Sequence, residues 1–150
     1  MARFTDPLSI SKGSSDNGTW IIEGGTLQDP QPTFNGAPLF SGSWRVIDGL
    51  CTFAIDVDMD NILTFGTGQF YMKVPYAAKY NTILSGGCIH DNSTGNQYFI
   101  IGDIDAGSDV MKLFTVSSNG LQVAFSDSDN SPFKLNPADS FHIAGTYAIN

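Results

Sequence analysis

The chemically capable side chains of this 150-residue chain are few: His90 and His142, Cys51 and Cys88, and a carboxylate set that is aspartate throughout except for Glu23. Neither histidine has a partner at metal-ligand spacing. The cysteines are too few for a Cys-only zinc site and too far apart for a C-x-x-C redox pair. Both fall in apolar, strand-like segments and read as two buried thiols in preference to a disulfide, because free cysteine is among the most buried residue types. Asp56-Val57-Asp58-Met59-Asp60-Asn61 resembles the opening of a calcium loop, but an EF-hand needs Gly at the sixth position and Glu at the twelfth, where this chain has Asn61 and Thr67. Those acids alternate with apolar residues, as the solvent-facing row of a strand does. Asp103, Asp105 and Asp109, spaced around Gly107, are the better calcium candidate, since three carboxylates on one loop can converge on a hard cation. The competing reading is an ordinary turn, which has the same composition.

No G-x-S-x-G elbow, H-E-x-x-H pair or P-loop occurs, so no residue is assigned a catalytic, cofactor-binding or metal-binding role and the chain reads as a non-enzyme without cofactor. A glycosidase, which needs only two carboxylates from separate strands, is the enzymatic alternative. Gly66-Thr67-Gly68 lacks the third glycine and the helix of a phosphate loop and reads as a turn or bulge opening a strand. Trp20, Trp44, Tyr71, Tyr76, Tyr80, Tyr98 and Tyr147 are amphipathic rings that suit sugar stacking and subunit interfaces alike.

Strands must position these groups. From Leu50 to Met59 the chain alternates Cys51, Phe53, Ile55, Val57 and Met59 with Thr52, Ala54, Asp56 and Asp58, the pattern of a half-buried β-strand. Similar segments are expected at 43–47, 69–74, 83–90, 97–101, 110–116, 121–125 and 141–148, with 19–22 a possible ninth. Asp48-Gly49 and Asn119-Gly120 carry the chemistry of two-residue type I′ hairpin turns. In the last strand Phe141, Ile143 and Tyr147 share a face and Gly145 leaves a gap among them, while His142 faces the other way. Single helical turns are expected only near 76–80 and 137–140. A Pro-rich connector spans 29–38, and 1–18 reads as a polar arm with Phe4, Leu8 and Ile10 as its large apolar groups. The expected architecture is therefore an all-β, antiparallel, jelly-roll-like β-sandwich of about eight strands over 19–150, preceded by the arm.

Hydrophobic residues make up 41% of the chain, enough to build a core, and no apolar run approaches the length of a membrane span. A net charge of −8 opposes a phosphate-backbone partner, which needs Lys and Arg to displace counterions, so neither nucleic acid nor membrane is an expected partner. The opening residues have no apolar h-region, which points to synthesis in a cytoplasm. The triplets Asn17-Gly18-Thr19 and Asn92-Ser93-Thr94 then read as coincidental matches to the glycosylation pattern.

Three segments are similar to small structural proteins of tailed bacteriophages, the jelly-roll or sandwich modules of capsid decoration proteins and tail-fibre tips. They are Gly18-Thr19-Trp20; the run from Gly42-Ser43-Trp44 to Phe65-Gly-Thr-Gly68-Gln-Phe70-Tyr71-Met72-Lys-Val74-Pro75, which resembles a G-x-G-x-[FY]-x-x-x-[LV]-P stretch; and Phe141-His-Ile143-Ala-Gly145-Thr-Tyr147, which resembles an F-x-[IV]-x-G-x-Y closing strand. The resemblance covers 18–150. It implies a virion protein made in the host cytoplasm, most often a homotrimer, with a major capsid protein as partner and the arm gripping a neighbour. Because no shaft-like repeat precedes the β module, a capsid decoration or cement role is expected ahead of a tail-fibre, receptor- or carbohydrate-binding one.

Overall fold

The computed structural model describes residues 16–19 and 22–150, and they form twelve strands and no helix. The strands are β1 (Asp16–Thr19), β2 (Gly24–Gln28), β3 (Thr33–Phe34), β4 (Leu39–Ile47), β5 (Leu50–Asp58), β6 (Ile62–Thr64), β7 (Thr67–Lys73), β8 (Thr82–Asp91), β9 (Asn96–Ile104), β10 (Val110–Val116), β11 (Gln122–Ala124) and β12 (Ser140–Ala148). Ten of them make one antiparallel sheet in the order β1-β4-β5-β12-β8-β9-β10-β7-β2, with β11 beside β10, and the sheet curls into a half-barrel. β3 and β6 form a separate two-stranded sheet. The arm's apolar groups Phe4, Leu8 and Ile10, together with Trp20 and Ile21, lie outside the described residues; β1 starts at Asp16, within the span read as arm.

The local chemistry explains the frame. Asp48 and Gly49 both take positive φ, at 51° and 75°, so the β4–β5 turn is type I′ and sets Ile47 opposite Leu50. That register places Cys51, Phe53, Ile55 and Val57 inside the curl along the whole of β5. β12 pairs with β5 over all nine residues, from Ser140 opposite Asp58 to Ala148 opposite Leu50, and it adds Phe141, Ile143 and Tyr147 to the same interior. The gap at Gly145 is filled by Leu84: a Cβ there would stand 2.8 Å from Leu84 Cδ2. Across the curl, Ile89, Ile100, Ile104, Met111, Leu113 and Phe125 complete a continuous buried core.

Departures from the sequence reading have local causes. Only Gly120 of Asn119-Gly120 has positive φ, and Gly120 N–H donates to Ser117 O (2.9 Å) while Ser117 N–H donates to Leu121 O (2.8 Å). The β10–β11 hairpin therefore turns through a type I turn and a left-handed glycine, not the expected two-residue loop. Segments 76–80 and 137–140 contain bends and a turn rather than helical turns; Asp139 N–H donates to Asn136 O at 3.0 Å and the chain re-enters a strand at once. The Pro-rich connector holds the two-residue β3, which pairs with β6 through Thr33 and Thr64, whose hydroxyls meet at 2.8 Å.

Candidate functional site

The acids of β5 lie on its exposed side, and Asp58 Oδ1 accepts the N–H of Asp60 (3.0 Å), closing the turn toward β6. Asp103, Asp105 and Asp109 are not gathered around a cation: among the described residues no three His, Cys, Asp or Glu side chains are placed to hold a metal. Asp105 instead pairs with Lys112 at 2.8 Å, and Ser108 N–H donates to Asp105 O (3.0 Å), an ordinary turn of the kind its composition allows. Gly66 and Gly68 have φ of 75° and 89° where β7 opens, beside a register shift between β2 and β7, so the glycine pair serves a bulge.

Both cysteines are free, Cys51 buried and Cys88 partly exposed. Burial pushes the Cys51 thiol up, partly offset by a hydrogen bond with Tyr147. Tyr147 is itself buried, its ring edge to face with Phe53; its hydroxyl donates to Tyr76 O (2.8 Å) and accepts Tyr76 N–H (3.1 Å), and desolvation raises its pKa. On the outer face the register sets Asp56, His142 and Cys88 side by side across β5, β12 and β8. No hydrogen bond joins the three, and the Cys88 thiol donates to Ile89 O at 3.8 Å. This row, which sequence spacing could not reveal, is a neighbourhood without the contacts of a nucleophile and its base.

Two surfaces have the geometry of binding sites. The first is an apolar stripe on the convex side of β8 and β9, where Ile83 is 68% and Phe99 73% exposed. Phe99 stands opposite Cys88 and Ile101 opposite Phe114, so the stripe crosses three strands, and at its far end Ile83 stands opposite Asp103. Strand alternation explains it: Tyr98, Ile100 and Gly102 point into the core, which leaves Phe99 and Ile101 no direction but outward.

The second is a groove of about 390 Å³ at one end of the half-barrel, lined by β1, β4, the end of β7 and the loop before β10. Trp44 and Tyr76 meet edge to face in it, ring centroids 5.3 Å apart. Lys73 Nζ lies 3.0 Å from the Glu23 carboxylate, and that contact, with Asp109 adding to it, raises the Lys73 pKa. Val74 N–H donates to Asp109 O (2.8 Å) and Lys73 N–H to Glu23 O (2.7 Å), which fixes both acids' backbones beside β7. Trp44 and Tyr76 were legible as ring candidates; Glu23 and Lys73 were not, and Asp109 stood out only as a calcium candidate, because their meeting depends on the pairing of β7 with its neighbours.

A wider groove of about 670 Å³ opens beside Tyr98, Val123 and Pro132, with Asp129 the one charged group among its described lining residues. A small cavity of about 30 Å³ inside a ring of phenylalanines, among them Phe34, Phe40 and Phe65, has an almost wholly apolar lining and acts as packing space between β3–β6 and the main sheet. No protein-family model, curated protein or solved structure matches this chain.

Proposed function

We propose that this protein is a non-enzymatic structural component of a tailed-phage virion, a self-associating β module, trimeric, that decorates the shell and stabilises it by bridging major capsid subunits. The observation that carries the self-associating part is the outward stripe of Ile83 and Phe99 on an otherwise acidic protein. Burying those two side chains against a partner releases about 5 kcal/mol before the costs of association. The virion role is supported by the resemblance of the three segments, and the jelly-roll reading of the curled sheet belongs to the same proposal. It is supported by β12, the last strand in sequence, lying between β5 and β8, as in Greek-key connections. Binding to assembled shell in preference to free subunits stabilises the shell by linkage.

The experiment is a copy count in purified virions together with light scattering of the recombinant chain. Hundreds of copies per particle and a trimer that Phe99→Ser dissociates are the expected results; a monomer, or a handful of copies at the tail, counts against the decoration role.

The groove at Trp44 and Tyr76 favours a second reading, a carbohydrate-binding module of the phage tail. In that case the copy number is low and the groove, more than the stripe, is the working surface.

A further inference from the structure

We infer that the groove between Trp44, Tyr76, Lys73, Glu23 and Asp109 is a subsite for a neutral pyranose. This deepens the carbohydrate-binding reading and rests on it. A sugar ring presents an apolar C–H face and, around its rim, adjacent hydroxyls that each donate and accept. The groove offers both halves of that match. Trp44 and Tyr76 supply ring surface that is only partly buried, the two rings meeting edge to face at 86°. Lining the same groove are an ammonium donor, Lys73, and two carboxylate acceptors, Glu23 and Asp109.

The ion pair is what makes the wall specific. At 3.0 Å the Lys73 and Glu23 groups hold each other in place, yet their side chains remain 39% and 68% exposed, so each keeps hydrogen-bonding capacity for a ligand. Charge-assisted hydrogen bonds of this kind are about twice as strong as neutral ones. The same charges select against acidic sugars. A uronic or sialic carboxylate entering the groove meets two carboxylates and one lysine already paired, on a chain of net charge −8. The volume, about 390 Å³, falls within the range of small-ligand sites. The wider groove beside Tyr98 lacks this donor–acceptor set, with Asp129 the one charged side chain among its described lining residues.

The test is an NMR titration of the full chain with methyl α-glucopyranoside, methyl β-galactopyranoside and glucuronate, following the Trp44 indole N–H signal assigned with Trp44→Phe. A neutral glycoside is expected to bind at millimolar concentration and to shift that signal, with glucuronate about tenfold weaker. Lys73→Ala and Glu23→Gln, both at exposed side chains that leave the core untouched, are expected to weaken the neutral glycoside about tenfold each. Glucuronate binding as well as the neutral sugars, shifts confined to the Tyr98 groove, or affinity indifferent to both variants overturns the assignment while leaving the carbohydrate-binding reading in place. No response to any of the three sugars overturns both.

Discussion

At the scale of single residues the molecule depends on polar groups that are buried and satisfied. Tyr147 bridges β12 to the loop after β7 through the N–H and C=O of Tyr76. Tyr147→Phe keeps the ring and strands both backbone groups, so we expect a loss of about 2 kcal/mol in a denaturant titration. The raised pKa of this phenol has a definite sign: the unfolded chain releases the proton above the ordinary value of 10.0 and the folded one does not, so stability falls as pH rises through that value. The phenylalanine variant should lose that alkaline component. Asp91 works at the other end of the scale. Its carboxylate accepts from the Ser93 hydroxyl (2.6 Å) and the Thr94 hydroxyl (2.7 Å), with the Ser93 and Thr94 N–H groups adding to these, and the bonds hold its pKa below the ordinary 3.8. Its contribution is complete above that value and is lost as pH falls below it, so thermal melts on acidification should separate wild type from Asp91→Asn at neutral pH and bring them together in acid. Alternation alone assigned the inward and outward positions of β5 and β12, since a period of two has only one solution once a face is apolar. The hydroxyl partners of Asp91 were equally close in sequence, but nothing in the residue types marked that turn among many of similar composition.

At the scale of elements the open edges of the sheet need explaining, because an unpaired strand invites pairing with another chain. β2 ends the sheet on one side, and there the Gln31 side chain acts as a short stretch of partner strand. Its Oε1 accepts Thr26 N–H at 3.0 Å and its Nε2 donates to Thr26 O at 2.8 Å. Gln31→Ala should leave the core intact and raise aggregation, measured as scattering under mild heating; an unchanged aggregation rate would show that β2 is protected by other means. Between β7 and β11 the ladder parts, and the Gln69 amide fills the breach by donating to Leu113 O at 2.8 Å. The long strands could be read from pattern because each buries one face. β2, β3 and β6 could not: Gly24-Gly25 has no side chains to alternate, β3 lies in a Pro-rich stretch, and β6 spans only three residues. Pairing, not propensity, makes these into strands.

At the scale of the whole molecule, the curl gathers one continuous apolar core and leaves surplus apolar residues of β8 and β9 facing outward. If copies associate through that stripe, folding and assembly are coupled, and the thermal midpoint should rise with protein concentration for wild type and become concentration-independent in Ile83→Ser/Phe99→Ser. A midpoint that ignores concentration in both would separate the stripe from self-association. What the residue order determined by itself is the all-β character, the β4–β5 turn and the two faces of the longest strands, since these follow from interactions between residues a few positions apart. Which strand lies beside which, and hence that Glu23 meets Lys73 in the groove that Trp44 lines and that Asp56, His142 and Cys88 fall in one row, was decided only in three dimensions. Those neighbours are brought together by hydrogen bonds between segments tens of residues apart, and many pairings of such strands satisfy the same local pattern until side-chain packing in the shared core selects one.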